Sequence, residues 1–280
     1  MDWRSAALRV LKTSAPDEKC SAAIEAAAAF DLERFSVGSG PLPPARPARP
    51  ESPALCAPTA VPKRRFGTVE GRAATLHALA HIEFNAIDLA FDMAARFAAE
   101  IAASGLSPDE FVFDWFRIGA EEAGHFALAA RRLGDLGSHY GAFPAHDGLW
   151  DAAIETADSV LARLAIAPMV LEARGLDVTP GMAQRFRKAG DEETARIIDR
   201  IERDEIGHVA AGVRWFTRLC AARGTDPAET FRALVRKRFR GVLKPPFNHE
   251  ARGLAGLPTC YYMVWNGPCG NEAAAEAGTC

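Results

Sequence analysis

Residues 121–125 read Glu-Glu-Ala-Gly-His and residues 204–208 read Asp-Glu-Ile-Gly-His. Each contains Glu-x-x-His, and residues three apart on an α-helix stand one above the other on the same face. Around the first pair, Phe111, Trp115, Ile118, Glu122, His125, Ala129, Leu133 and Leu136 fall on one helical stripe. Around the second, Ile198, Ile201, Glu205, His208, Gly212, Trp215 and Leu219 do the same. Both Glu–His pairs therefore point into a core, where an uncompensated charge is costly.

A lone acid precedes each pair. Glu83 shares a stripe with Leu76, Leu79, Ile87, Ala90, Ala94 and Phe97, and Glu172 follows Leu161, Leu164, Pro168 and Leu171. The order is thus Glu, Glu-x-x-His, Glu, Glu-x-x-His on four amphipathic segments. Four carboxylates and two imidazoles from four helices form the ligand set of a carboxylate-bridged pair of metal ions. Glu122 and Glu205 are the expected bridges, and the other four residues the expected terminal ligands. Four negative charges balance two divalent ions, so a filled site can sit in a dry core. Nitrogen with carboxylate oxygen suits iron or manganese, with zinc also compatible. Imidazole ligands usually donate their outer N–H to a carboxylate or carbonyl. Asp204 and Glu121, each just before a bridging Glu, are the candidates for that role across the bundle.

The bland reading has weight for each residue alone. A single Glu-x-x-His is mostly a surface charge pair, and a single Glu on an apolar face mostly snorkels. Four carboxylates in one core are different, because desolvation and mutual repulsion forbid them unless they are protonated or hold a cation.

The rest of the chain frames these segments. Residues 1–66 read as a helical segment followed by a Pro-rich linker, GSGPLPPARPARPESPALCAPTAVPKRR, since proline fixes φ and removes donors. Residues 67–240 read as four long helices and a basic fifth. The first runs from about Thr68 to Ala103, and the second starts after Ser107. The third, from about Asp147, is loosened by Pro168 and closed by Gly175 and Pro180, with a short helix after it. The fourth runs from about Asp191 to Arg223. Residues 241–280 read as an irregular tail. No strand-like alternation stands out, so the expected fold is all-α.

The bulk numbers agree with a soluble globular chain. It has 280 residues, 49% hydrophobic and 25% charged, with a net charge of −3. That balance gives no global field for nucleic acid or anionic membrane. No apolar run approaches the roughly 20 residues of a membrane span. No secretory leader is read, and the six cysteines include no Cys-x-x-Cys, so free thiols and a cytoplasmic location are expected.

The motif order resembles the ferritin-like di-iron carboxylate superfamily. The segments HALAHIEFNAIDLAFD, EEAGHFALAARRLGDLGSHYGAFPAHDGLW, RLAIAPMVLEARGLDVTP and RDEIGHVAAGVRWF are more narrowly similar to a bacterial ferritin-like family, domain of unknown function 455. The resemblance covers about residues 62–254. It implies a ferritin-like antiparallel four-helix bundle with extra N- and C-terminal helices, its helix pairs joined by a crossover. It also implies two iron ions, with manganese or a mixed iron–manganese pair fitting the same donors. Glu83 and His125 would hold one ion, Glu172 and His208 the other, and Glu122 and Glu205 would bridge. The Cys- and Gly-rich tail lies outside the resemblance.

Three functions are compatible with such a site. The first is a di-iron oxidase or hydroxylase that activates O2 on an organic substrate, fed by an external electron donor. A tRNA-modifying hydroxylase shares the expected fold, and Lys63, Arg64, Arg65, Arg236, Lys237, Arg238, Arg240 and Lys244 are the basic residues for RNA. A solvated helix face accounts for such residues better than RNA binding does. The second is iron oxidation for storage or peroxide defence without an organic substrate. The third is a non-catalytic, metal-stabilised binding protein. A homodimer is compatible with all three. His77 and His81, and Tyr140, His146, Asp147 and Trp150, are weaker candidates for shaping access to the site.

Overall fold

The computed structural model describes residues 2–30, 40–61 and 66–263. Lys63, Arg64, Arg65 and the end of the tail lie outside these. The described residues are all-α, with one isolated bridge, Leu55 to Ala145, as the sole extended pairing among them.

Two short helices open the chain, α1 (Trp3–Lys12) and α2 (Pro16–Ala28). Then comes the long α3 (Val69–Ala103), with Thr68 as N-cap accepting from the Gly71 N–H. It is followed by α4 (Pro108–Asp135), capped by Ser107 through the Glu110 N–H as its sequence signals. After α5 (Gly148–Glu155) and α6 (Val160–Ile166), residues Ala167–Glu172 form a π-helical turn that leads directly into α7 (Ala173–Lys188). The fourth long helix is α8 (Glu192–Ala222), capped by Asp191. Helices α9 (Pro227–Arg238), α10 (His249–Leu254) and α11 (Thr259–Tyr262) complete it.

The long helices pack in pairs, α3 on α4 and α7 on α8, while α4 meets α8 and α6 meets α3 and α8. Their shared interior is dense in aromatic side chains. Phe111 and Trp215 meet edge-on with centroids 5.0 Å apart, a preferred geometry for ring pairs.

Buried ion pairs fix the outer elements to α3. Lys19 of α2 and Asp88 of α3 pair with both side chains wholly buried, and Arg49 of the linker reaches the other Asp88 oxygen at 2.5 Å. Arg163 of α6 pairs with Asp92 of α3 at 2.5 Å, also buried. The linker is laid along the bundle. Its carbonyls accept from Trp150 Nε1 (Ala45, 3.0 Å) and Arg96 (Pro44, 3.2 Å).

Three expectations need correction. Gly175 and Pro180 do not end a helix: α7 runs through both to Lys188, with Leu176, Thr179, Ala183 and Phe186 buried along a helix that packs on α8. Residues 241–263 are not irregular throughout, since Asn248 caps α10 and α11 follows. Cys20, Cys56 and Cys220 are free thiols as expected, but Cys260 is disulfide-bonded.

Candidate metal centre

The four acidic and two imidazole side chains come from four elements: Glu83 from α3, Glu122 and His125 from α4, Glu172 from the π-turn, and Glu205 and His208 from α8. One donor atom each of Glu83, Glu122, His125 and Glu205 lies within 4.8 Å of the others. His125 Nδ1 is 3.3 Å from both Glu83 Oε2 and Glu122 Oε2. His208 Nδ1 is 2.9 Å from Glu122 Oε1 and 3.4 Å from Glu205 Oε2. The imidazole centroids are 5.9 Å apart. Glu122 therefore stands between the two rings, one oxygen toward each.

The outer ring nitrogens are held as their neighbours in sequence indicate. His125 Nε2 lies 3.0 Å from Asp204 Oδ2, and His208 Nε2 lies 2.8 Å from Glu121 Oε2. An ionised carboxylate only accepts, so in the neutral rings each Nε2 carries the hydrogen. Each Nδ1 then presents a bare lone pair to the carboxylate cluster. Each bond crosses from α4 to α8.

Several inward-facing atoms lack protein partners, although His125 Nδ1 and Glu122 Oε2 meet at 3.3 Å. Glu83 Oε2, Glu122 Oε1, Glu172 Oε2, Glu205 Oε2 and His208 Nδ1 are buried without hydrogen-bond partners, half of all such side-chain atoms among the described residues. His208 Nδ1 and Glu122 Oε1 approach each other at 2.9 Å, yet without hydrogen-bond geometry. No Lys or Arg ion pair reaches these four Glu among the described residues.

The electrostatics record the same imbalance. Burial, reinforced by Glu122, pushes the Glu83 carboxyl well above its ordinary range. Burial and the Glu205 charge do the same for Glu172, and burial and Glu122 raise Glu205. Burial would raise Glu122 too, but the His208 and His125 rings hold it low. Burial opposes charging His125, yet Glu122 and Glu83 push it up to about 11. His208 also rises, against burial, through Glu205 and Glu122. A cluster that gathers protons this strongly is short of positive charge.

Glu172, on the π-turn, stands outside the 4.8 Å group and feels the Glu205 charge without a hydrogen bond to it. Pro168 within that turn packs against Gly212 of α8 so closely that a Cβ on Gly212 would lie 2.5 Å from Pro168 Cβ. The sequence pointed to a kink at Pro168. It carried no signal for the extra residue of a π-turn, a feature often found at functional sites.

The weaker candidates form a separate cluster. His81 Nδ1 is 2.9 Å from the Tyr140 hydroxyl, and His81 Nε2 is 3.2 Å from the His146 carbonyl. His77 Nε2 accepts from the Gly141 N–H at 2.9 Å. Asp147 pairs with Arg46 at 2.5 Å, and Trp150 holds the linker. These residues tie the 137–150 loop and the linker to α3. Of the basic residues weighed for RNA, Arg238 pairs with Asp158 and Arg240 with Glu155.

No described helix is long and apolar enough to cross a membrane. The chain belongs to the family described as "Protein of unknown function (DUF455)", matched over residues 12–263. It is 47% identical over 219 residues to an uncharacterized protein of Haemophilus influenzae, covering 77% of this chain and 75% of that one. No solved structure matches it.

Proposed function

We propose that the helices form a ferritin-like bundle around a dinuclear metal centre, most consistent with two iron ions, that reacts with O2 to oxidise an organic substrate. The observation that carries this reading is the orientation of the two imidazoles. Their outer nitrogens are engaged by Asp204 and Glu121, while the inner side of the site holds five buried atoms without hydrogen-bond partners, four carboxylate oxygens and His208 Nδ1. Such atoms cost free energy unless something binds them.

The donor set fits the group. Glu83 and His125 would hold one ion, Glu172 and His208 the other, and Glu122 and Glu205 would bridge. The bound pair would supply electrons to O2 and a template for its reduction. The chain's own residues do the rest. Asp204 and Glu121 fix the imidazole tautomers and aim Nδ1 inward. Phe84, Ile87, Ile118, Ile198 and Ile201 are buried, and apolar side chains on these stripes exclude bulk water. The π-turn sets the reach of Glu172. Arg238 at the end of α9 and Arg240 just beyond it are engaged by Asp158 and Glu155, so a small substrate is favoured over RNA.

Anaerobically purified protein titrated with ferrous iron tests this reading. Two ions per chain and O2 consumption that stops at a fixed small ratio support it. Uptake of many irons per chain would replace it with iron storage. No binding would leave a structural bundle.

A further inference from the structure

A cavity of about 420 Å³ opens between α2, α4 and α8 on the outer side of the two imidazoles. Its walls are of two kinds. Ile24, Ala27 and Ala28 of α2 and Phe113 and Ala120 of α4 make an apolar side, with Ile24 and Phe113 about half exposed. Arg117, Glu121, Arg200 and Asp204 make a polar side. Each acid turns one oxygen toward a histidine, and Glu121 gives its other oxygen to Arg117. The two guanidinium groups are left facing the opening. Arg117 spends one nitrogen on Glu121 at 2.6 Å, and Arg200 stays 3.8 Å from Asp204, beyond hydrogen-bond reach. Their side chains are 43% and 60% exposed.

We infer that this cavity binds a small amphipathic acid, its carboxylate on Arg117 and Arg200 and its apolar body against Ile24, Ala27, Ala28 and Phe113. The size is that of a small-molecule pocket, mostly apolar with a few converging polar groups. Guanidinium forks match a carboxylate in shape and charge. The orientation follows from α2, which ends at Ala28: its C-terminal carbonyls repel an anion, so the acid lies at the arginine end. The occupant would sit one carboxylate away from both histidines.

Calorimetric titration of the purified full chain with decanoate, decan-1-ol and decylamine tests the site without reference to metal or turnover. Decanoate is expected to bind once per chain, and the alcohol and amine at least about tenfold more weakly, the loss of one charge-assisted contact. Arg117→Gln/Arg200→Gln is expected to weaken decanoate by about tenfold or more. Ala28→Trp, at an exposed position on the rim, is expected to block it while leaving thermal unfolding unchanged. No saturable decanoate binding, equal binding of the alcohol, or undiminished binding in both variants would overturn the assignment. Loss of iron binding with decanoate binding intact would defeat the metal reading and leave this one standing.

Discussion

The Nε2 atom of His208 lies 2.8 Å from Oε2 of Glu121, on the helix opposite its own. The mirrored contact, His125 with Asp204 at 3.0 Å, crosses the same two helices the other way. The acid just before each Glu-x-x-His thus orients the other motif's imidazole. Glu121→Ala and Asp204→Ala should each weaken metal binding by about 10–100-fold while leaving the helical content unchanged. Competition with a chelator of known affinity measures this, with Glu110→Ala as a surface control; an unchanged affinity would show that the contacts do not serve the metal.

Four carboxylates in one core oppose folding when no cation balances them. Glu172→Leu should therefore raise the melting temperature of the metal-free chain and shrink the gap between its loaded and stripped forms. For the wild-type chain, metal at a thousandfold its dissociation constant should stabilise by about 4 kcal/mol. Calorimetry of both forms checks this, and a metal-free variant less stable than metal-free wild type would count against the unbalanced-charge account.

Gly212 and Gly207 sit on the same helix with opposite surroundings. A Cβ at Gly212 would collide with Pro168 at 2.5 Å, whereas one at Gly207 meets nothing within 4 Å. Gly212→Ala should cost about 1–3 kcal/mol by overpacking. Gly207→Ala should stabilise by roughly 0.5–1 kcal/mol through helix propensity. Urea unfolding of the pair distinguishes the effects; equal costs would mean that the approach of α8 to the π-turn is not tight.

His81 is held neutral, its pKa lowered to about 4, first by burial and then by the Arg49 charge. A base with a depressed folded value contributes stability above its unfolded value of about 6.5, and loses it as pH falls toward 4. The melting temperature should drop over that window. His81→Gln should flatten this part of the profile, and an unaltered slope would assign the acid sensitivity elsewhere.

Much of this arrangement was legible in the sequence. The three-residue spacing put Glu122 with His125 and Glu205 with His208 on buried stripes, and Thr68, Ser107 and Asp191 marked where helices begin. Adjacency on the helix also pointed to Glu121 and Asp204. The segment around Glu172 was harder to read. A π-turn changes helical phase by one residue, so a stripe counted at 3.6 residues per turn cannot place Glu172, and tertiary packing carries α7 past Gly175 and Pro180. The cavity beside Arg117 and Arg200 depends on how α2 lies on α4, a long-range contact no local pattern encodes.

Metal content per chain is the most direct test. After anaerobic loading with ferrous iron and removal of excess, wild-type protein should carry two ions by elemental analysis, and Glu122→Ala and His208→Ala should each fall short of two. Full loading of either variant, or a wild-type chain that retains no metal at all, would contradict the central claim.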